Sequence, residues 1–246
     1  MISDMITGMH RTGHHAVAVW LFHQKPSVHD FSINTIASWL FSLTKGSGVH
    51  LYANNPLKTG PNEHPDKQKL PLITDDIQPD SLLVSHERES IEDCIKIAEN
   101  SFWDFNKPIV VIRDFKNWVA SCMKMALRDN KMVEEVINND DVSLYKNHLI
   151  NYPERTAYYI HYNIWAENPN YRQQVCEDLG FTYTDAAKDQ LSIFGGGSSF
   201  DGMNYIKNAS KMKVNERYKE VETHPYYEML ISKHEEALAL SNTIFK

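Results

Sequence analysis

Residues 5–16 read Met5-Ile6-Thr7-Gly8-Met9-His10-Arg11-Thr12-Gly13-His14-His15-Ala16, and the apolar run Val17-Ala18-Val19-Trp20-Leu21-Phe22 follows. A short apolar run enters a segment with two glycines and continues into residues with helical apolar spacing, which predicts a strand, a turn and a helix. Glycine lets the backbone approach a ligand closely, and the first amides of a helix have no partner within it. Because the helix dipole also favours an anion there, the segment predicts a phosphate cradle. Arg11 adds a positive charge to it.

The residues after the second glycine distinguish this cradle from that of the nucleoside triphosphatases. That loop has Gly, four residues, Gly, and then Lys and Ser or Thr, which contact the terminal phosphates and Mg²⁺. Gly8 and Gly13 have this separation, but His14 and His15 follow them. The sequence therefore favours an anion that is bound without a metal. A nucleotide or metabolite kinase, a catalytically silent nucleotide-binding module and a tight βα connection without a ligand stay open as alternatives.

Apolar runs and helical spacings alternate along the rest of the chain. Short buried strands are predicted at residues 81–85, 108–112 and 158–162. Helices are predicted at residues 16–24, 90–100, 117–128 and 169–179. Because strands and helices alternate, the sequence predicts a single α/β domain spanning residues 1–246, with a parallel β-sheet flanked by helices.

Three other regions have less regular patterns. Residues 32–45 have apolar side chains at helical spacing and are predicted to form a helix. Residues 46–80 are rich in Asn, Pro, Lys and Asp, which predicts a long irregular segment, either a lid or a surface excursion. Amphipathic patterns between residues 214 and 241 predict helices that close the fold.

Composition limits the classes of ligand and the compartment. The chain has 246 residues and a formal net charge of -7, which argues against a general nucleic-acid binder. One anionic ligand in a locally basic pocket remains compatible with this charge. Cys94, Cys122 and Cys176 are odd in number and widely separated, which favours reduced core thiols. With no targeting segment and no apolar run long enough to span a membrane, we expect a soluble cytoplasmic protein.

A second anion-binding pattern follows the middle one of the three predicted strands. Arg113 ends that strand, and Ser121 lies eight residues later on the following helix. A guanidinium and a hydroxyl in these places can bracket one phosphate group, although Arg113 can also form a surface ion pair with Asp114. Because ligands of parallel sheets bind at the carboxyl ends of strands, one cleft is expected to collect Arg11, His86, Arg113 and Tyr162.

Together these patterns resemble the sulfotransferase family, which uses 3'-phosphoadenosine-5'-phosphosulfate (PAPS). Residues 8–15 look like that family's 5'-phosphosulfate loop, and residues 111–121 resemble its 3'-phosphate motif, including the Arg-to-Ser spacing. Residues 82–87 look like the strand that delivers the catalytic histidine. Residues 162–169 are similar to a later strand and turn, where a tyrosine approaches the adenosine. The correspondence runs in order from about residue 5 to 202.

The resemblance implies a P-loop-like sulfotransferase fold and transfer of a sulfuryl group from PAPS, with 3'-phosphoadenosine-5'-phosphate (PAP) as product and no metal required. It implies that His86 is the catalytic base, with Glu87 as its rival, and that Arg11 stabilises the leaving oxygen. Since neighbouring strand residues point to opposite faces, only one of His86 and Glu87 is expected to face the cleft. The residues implied in cofactor binding are Arg11, Thr12, Gly13, His14, His15, Ala16, Arg113, Ser121 and Tyr162.

The sequence departs from the family pattern at three places. His14 and His15 replace the paired threonines of the loop, and Ala16 replaces the aromatic residue that often stacks on adenine. The late Arg-Lys-Gly phosphate clamp is not found, and a segment rich in Gly and Ser stands at residues 194–202. Either this segment is a flexible loop, or it supplies backbone amides and hydroxyls to the same phosphate. The residues expected to do so are Gly196, Gly197, Ser198 and Ser199.

The histidines of the loop have more than one interpretation. Either His14 or His15 can donate to the sulfuryl oxygens, and either can simply pack beside the helix start. A metal site formed with His10 is disfavoured, because Gly13 interrupts the helix that ligation by residues i and i+4 needs.

The acceptor is the least defined partner. Residues 46–80 and 123–155 are expected to form its walls, and their composition fits a polar hydroxylated small molecule or a carbohydrate. Neither a nucleic acid nor a membrane is expected as a partner, and the sequence does not indicate the oligomeric state. The C-terminal part can either lend a positive rim to the cofactor mouth or form a solvated face, through Lys207, Lys211, Lys213 and Arg217.

Overall fold

A computed structural model describes residues 2–24, 39–41, 48–53, 81–99, 105–152, 156–191 and 197–246. These residues contain six strands in one sheet: β1 (Ile2–Gly8), β2 (Trp39–Phe41), β3 (Gly48–Ala53), β4 (Ser81–Glu87), β5 (Ile109–Ile112) and β6 (Tyr158–His161). The strand order is β2-β3-β4-β1-β5-β6. Strands β4, β1, β5 and β6 are parallel, and β3 and β2 add an antiparallel hairpin beside β4. The predicted α/β class with a parallel sheet flanked by helices is confirmed.

Helices follow the parallel strands in the predicted order. The α-helices of the described part of the chain are α1 (His14–Phe22), α2 (Ile91–Glu99), α3 (Phe115–Arg128), α4 (Val133–Val136), α5 (Asn139–Ile150), α6 (Tyr162–Glu167), α7 (Pro169–Leu179), α8 (Pro225–Lys233) and α9 (Glu235–Ile244). Asp114 caps α3 by accepting a hydrogen bond from the Asn117 amide, and Gly180 ends α7 in the left-handed conformation. The C-terminal helices that the amphipathic patterns predicted are α8 and α9.

Both faces of the sheet are covered, as alternation along β5 shows. Val110 and Ile112 belong to a core formed with residues of α2, α3, α5, α8 and α9. Ile109 and Val111 belong to a second core, formed with residues of α1, α6 and α7. Because successive side chains of a strand point to opposite faces, a continuous apolar run is what a strand between two helical layers requires.

Two regions differ from the sequence-based prediction. Residues 39–41, expected within a helix, form β2, and residues 48–53, expected in an irregular segment, form β3. The helical spacing of apolar residues was therefore a misleading signal here. The physical reason is tertiary: β3 hydrogen-bonds to the free edge of β4, and such pairing overrides local propensity. The rest of both predicted segments lies outside the described residues.

Two expectations from composition can be compared with the described residues. Cys94, Cys122 and Cys176 are all buried and unbridged, as expected for core thiols. No helix in the described ranges has the length and apolar character needed to cross a membrane.

The turn between β1 and α1 depends on glycine at its last position. Gly13 has φ of 88°, in the left-handed region, and immediately precedes α1. A Cβ placed on Gly13 would overlap the ring of Tyr162, at the start of α6. The conformation and the close approach of this ring both require the absence of a side chain.

We expect Gly13→Ala to lower the free energy of unfolding by about 2–5 kcal/mol, combining backbone strain with displacement of the Tyr162 ring. Gly180→Ala is the matched control, because Gly180 also has positive φ (72°) but its Cβ position is open. Its expected cost is about 1–2 kcal/mol, from strain alone. Urea denaturation measures both values, and equal losses would contradict the proposed packing of Tyr162 on Gly13.

Candidate functional site

The loop between β1 and α1 is held in shape from several sides. The Thr12 amide and hydroxyl both donate to the Met9 carbonyl, at 3.1 and 2.6 Å. The indole of Trp118, on α3, donates to the His10 carbonyl at 2.8 Å. Arg11 has a left-handed φ of 64°, which is uncommon for a residue with a side chain. These hydrogen bonds fix the shape of the loop, which ends at the N-terminus of α1.

Arg113 ties this loop to two other parts of the molecule. Its Nη1 donates to the Arg11 carbonyl at 3.0 Å and to the Ser121 hydroxyl at 2.9 Å, and its Nη2 donates to the Val214 carbonyl. The guanidinium is buried, and burial lowers its pKa to about 10, so it stays charged at neutral pH. Its face also lies 5.2 Å from the centre of the Tyr162 ring. The structure thus brings the predicted Arg113 and Ser121 into direct contact beside the loop.

A cavity of about 530 Å³ opens at this place, at the carboxyl ends of β1, β4 and β5. Its volume falls within the range typical of small-molecule and cofactor sites. Among the described residues that line it, seven are basic: Arg11, Arg88, Arg113, Arg128, Lys131, Lys188 and Arg217. Four are acidic: Glu87, Asp129, Glu135 and Glu167. The lining therefore has more basic than acidic side chains, in a chain whose formal net charge is -7. Arg88, Lys188 and Arg217 each pair with an aspartate that is not among the lining residues.

Most of the residues predicted for the site meet around this cavity. Those that line it are Arg11, Gly13, His14, His15, Ala16, Glu87, Arg113, Ser121, Tyr162, Gly197 and Ser198. Thr12, His86 and Ser199 are buried and are not among the lining residues. Both donors of Thr12 are engaged by the Met9 carbonyl, so the geometry leaves it a structural part of the loop. Gly196 lies outside the described residues.

His86 and Glu87, near the end of β4, are placed differently. Glu87 lines the cavity and its side chain is 26% exposed, whereas His86 is 4% exposed. Neither ring nitrogen of His86 has a hydrogen-bond partner within the described part of the chain. Burial lowers the pKa of His86 to about 4 and raises the pKa of Glu87. Because neighbouring strand residues point to opposite faces, Glu87 and not His86 lines the cavity. Glu87 is the rival base of the sequence-based prediction.

The Gly- and Ser-rich segment reaches the cavity through its described residues 197 and 198. Arg11 Nη2 donates to the Gly197 carbonyl at 3.2 Å. The Ser198 hydroxyl donates to Asp201 at 3.0 Å and accepts from the amides of Phe200 and Asp201. Ser198 therefore stabilises a turn, so its hydroxyl proton is already in use. The segment contacts the loop, but through a carbonyl and not through a hydroxyl donor.

The sequence-based prediction does not include several charged residues that line the cavity, because tertiary packing decides that they reach it. Arg88 forms an ion pair with Asp141 of α5, and Lys188 lies 3.4 Å from the Asp189 carboxylate. Arg128, at the end of α3, donates to the carboxylate of Asp129 at 2.7 Å. Only Arg88 had a signal in the sequence, since it directly follows a predicted buried strand and strand ends collect ligand contacts.

An aromatic pair also borders the cavity. The rings of Tyr162 and Trp165 have centroids 5.6 Å apart and an interplanar angle of 23°, and both residues line the cavity. Trp165 belongs to the motif at residues 162–169, but the sequence assigns it no role of its own. It lies one helical turn after Tyr162 on α6, so the two rings share one face of that helix.

His14, His15 and Glu87 form a compact group on the cavity wall. One potential ligand atom from each lies within 4.8 Å of the others. The His15 Nε2 and Glu87 Oε1 atoms are 4.0 Å apart, and the two imidazole rings have centroids 4.0 Å apart. His10, which the sequence considered with the other two histidines, is not part of this group.

Comparison with known proteins gives no relative: no protein-family model matches the chain, and neither a curated protein nor a solved structure does.

The buried His86 predicts a loss of stability in acid. The pKa of His86 is about 4 in the folded protein against 6.5 for the ordinary group, so the unfolded chain binds more protons between these values. The neutral, buried His86 therefore makes its full contribution to the free energy of unfolding above pH 6.5. This contribution is lost as the pH falls toward 4. We expect His86→Gln to reduce the loss of unfolding free energy between pH 7 and pH 5 by about 2 kcal/mol. Urea denaturation at both pH values measures this loss, and an equal loss in both proteins would contradict the assignment.

Proposed function

We propose that the protein is a PAPS-dependent sulfotransferase. The observation that carries this proposal is the contact of Arg113 with both the Ser121 hydroxyl and the Arg11 carbonyl, inside a basic cavity. It places a guanidinium and hydroxyl beside a helix N-terminus, so the cavity offers two neighbouring positions for anions. PAPS carries phosphate groups at both ends of its ribose, which matches two such positions. The P-loop-like sulfotransferase fold is part of the proposal.

In this proposal the 3'-phosphate binds to Arg113 and Ser121. The Arg113 Nε is buried and has no hydrogen-bond partner among the described residues, so the guanidinium retains a donor. Arg217 also lines the cavity, where its guanidinium is paired with Asp201 at 3.0 Å. Tyr162 and Trp165 are 7% and 3% exposed and line the cavity, and they are the proposed aromatic contacts of the adenine, a role that Ala16 cannot fill.

The 5'-phosphosulfate then lies at the start of α1. Amides of the first turn and the Arg11 guanidinium stabilise the charge that develops on the leaving oxygen. The acceptor hydroxyl oxygen bonds to sulfur as the bond from sulfur to the bridging phosphate oxygen breaks. The products are a sulfate ester and PAP, and the hydroxyl proton moves to a base.

Glu87 is the proposed base. It lines the cavity, and its Oε1 atom lies 4.0 Å from His15 Nε2, whereas His86 is buried and is not among the lining residues. The raised pKa of Glu87 suits a group that must accept a proton near neutral pH. His86 then has a structural role in the strand, in contrast to the preference expressed from the sequence.

The acceptor remains a polar hydroxylated small molecule or a carbohydrate. Of the two predicted walls, the second reaches the cavity through Met125, Arg128, Asp129, Lys131, Glu135 and Val136. Their polar and charged character favours a hydrophilic acceptor. The first wall, residues 46–80, lies outside the described residues except for β3.

Nucleotide binding tests the proposal without knowledge of the acceptor. We expect PAP to bind in the absence of metal more tightly than AMP, which lacks the 3'-phosphate. Ser121→Ala should weaken PAP binding about 10–100-fold, the value of a hydrogen bond to a charged group, and should leave AMP binding unchanged. Ser143→Ala, on the exposed part of α5, is the matched control. Isothermal titration measures all affinities.

Equal affinity for PAP and AMP would overturn the sulfotransferase proposal. Binding of ATP with Mg²⁺ in preference to PAP would instead support the kinase alternative.

Transfer of labelled sulfate from PAPS to a panel of sugars and hydroxylated metabolites tests the chemistry. We expect Glu87→Gln to lower the rate about 10²–10⁴-fold, the usual contribution of a general base. His86→Gln should lower it only as far as it lowers the folded fraction, measured in parallel by circular dichroism. A Glu87→Gln enzyme with the wild-type rate would refute the assignment of the base, and PAP binding without transfer to any acceptor would favour the silent module.

A further inference from the structure

The group formed by His14, His15 and Glu87 has the composition of a transition-metal site. Two imidazoles and one carboxylate offer the N and O donors that Zn²⁺ takes in three-ligand sites. The potential ligand atoms all lie within 4.8 Å of one another, and His15 Nε2 lies 4.0 Å from Glu87 Oε1. Around a tetrahedral zinc with bonds of 2.0–2.1 Å, ligand atoms stand about 3.4 Å apart. Rotations of the side chains can provide the remaining contraction, which is at most about 1.4 Å.

The three residues are presented by rigid neighbouring elements. His14 and His15 are the first two residues of α1, and Glu87 is the last residue of β4. Gly8, at the end of β1, pairs with Glu87 in the sheet, and its carbonyl accepts from the Arg88 amide at 3.0 Å. The strand end that carries the carboxylate is therefore fixed against the loop that carries the histidines.

Two of the three side chains are also partly exposed to solvent, as expected for a metal site with an open coordination position. His14 is 1% exposed, while the side chains of His15 and Glu87 are 18% and 26% exposed. All three line the cavity of about 530 Å³. Three protein ligands that border such a space leave a fourth position for water or for an anion, as in catalytic and not in structural zinc sites.

We propose that His14, His15 and Glu87 bind one Zn²⁺ ion, with the fourth coordination position open to the cavity. The donor set excludes Mg²⁺ and Ca²⁺ as preferred ions, because both favour oxygen ligands. Arg11 and Arg88 lie near enough to Glu87 to interact with its charge. Because both are positive, they repel a divalent cation and lower the affinity for Zn²⁺ below that of the same three ligands without neighbouring arginines. An anion in the fourth position offsets this repulsion.

The site has a consequence for the proposed transfer reaction, and this consequence alone rests on the proposed function. A Glu87 carboxylate bound to Zn²⁺ cannot accept the acceptor's proton. Zinc occupancy and sulfuryl transfer therefore exclude each other, and Zn²⁺ acts as an inhibitor.

Titration of the untagged, full-length protein with ZnCl₂ at pH 7.5, without nucleotide, tests the site. Imidazole binds metals in its neutral form, which is why the titration is done above neutral pH. We expect saturable binding of one Zn²⁺ per chain, and a visible absorption band of tetrahedral Co²⁺ when cobalt replaces zinc. His15→Ala and Glu87→Gln should each weaken Zn²⁺ at least about 10-fold, since even loss of a residue that only supports a ligand costs this much. His234→Ala, at the junction of α8 and α9, is the matched control and should keep the wild-type affinity.

Thermal unfolding of each variant verifies that it is folded. Wild-type protein without saturable Zn²⁺ binding, or His15→Ala and Glu87→Gln variants that bind Zn²⁺ as the wild type does, would overturn the metal site. Ser121→Ala separates this proposal from the proposed function, because it removes a predicted contact to PAP and leaves the zinc ligands intact. Zinc binding that persists in a protein indifferent to the 3'-phosphate would support the metal site while the sulfotransferase proposal fails.

Discussion

The architecture of the cavity depends on one buried guanidinium. Arg113 donates to the loop carbonyl of Arg11, to the Ser121 hydroxyl on α3 and to the Val214 carbonyl in the segment between α7 and α8. A buried charge is tolerated only when polar partners surround it, so these three segments must meet around Arg113. The same partners hold the guanidinium beside the cavity, where an anionic ligand would complete its coordination. Arg113 thus combines a structural role in the loop with the proposed binding of a ligand.

Around that centre the protein concentrates positive charge against its overall composition. The chain as a whole is acidic, yet the cavity is lined by more basic than acidic side chains. Arg113 and Arg217 are buried, so fewer water molecules screen their charges, whereas Arg128 and Lys131 are exposed. Glu87 is one of four acidic side chains in this lining, and it is the one that lies next to the two imidazoles of His14 and His15. Depending on its partner, the same group can accept a proton or bind a cation.

The accuracy of the sequence-based prediction follows the range of the interactions involved. The loop at residues 5–16, the strands β4, β5 and β6 and the helices α1, α2, α3 and α7 were predicted, because their glycines, caps and apolar runs act locally. The spacing of Arg113 and Ser121 predicted that they bracket one phosphate group, and the structure places the two side chains in direct contact. The hairpin of β2 and β3 was missed, since it exists through pairing with the edge of β4.

The sequence by itself determined an α/β chain with a glycine-bounded loop, an arginine at a strand end and two candidate bases in adjacent positions. Only the tertiary structure decided which of these candidates reaches the cavity. Adjacent residues of a strand face opposite sides of the sheet, and spacing cannot tell which side holds the ligand cavity. In the same way, Glu87 joins His14 and His15 because parallel pairing sets the end of β4 beside the loop after β1, a neighbourhood that no local pattern encodes.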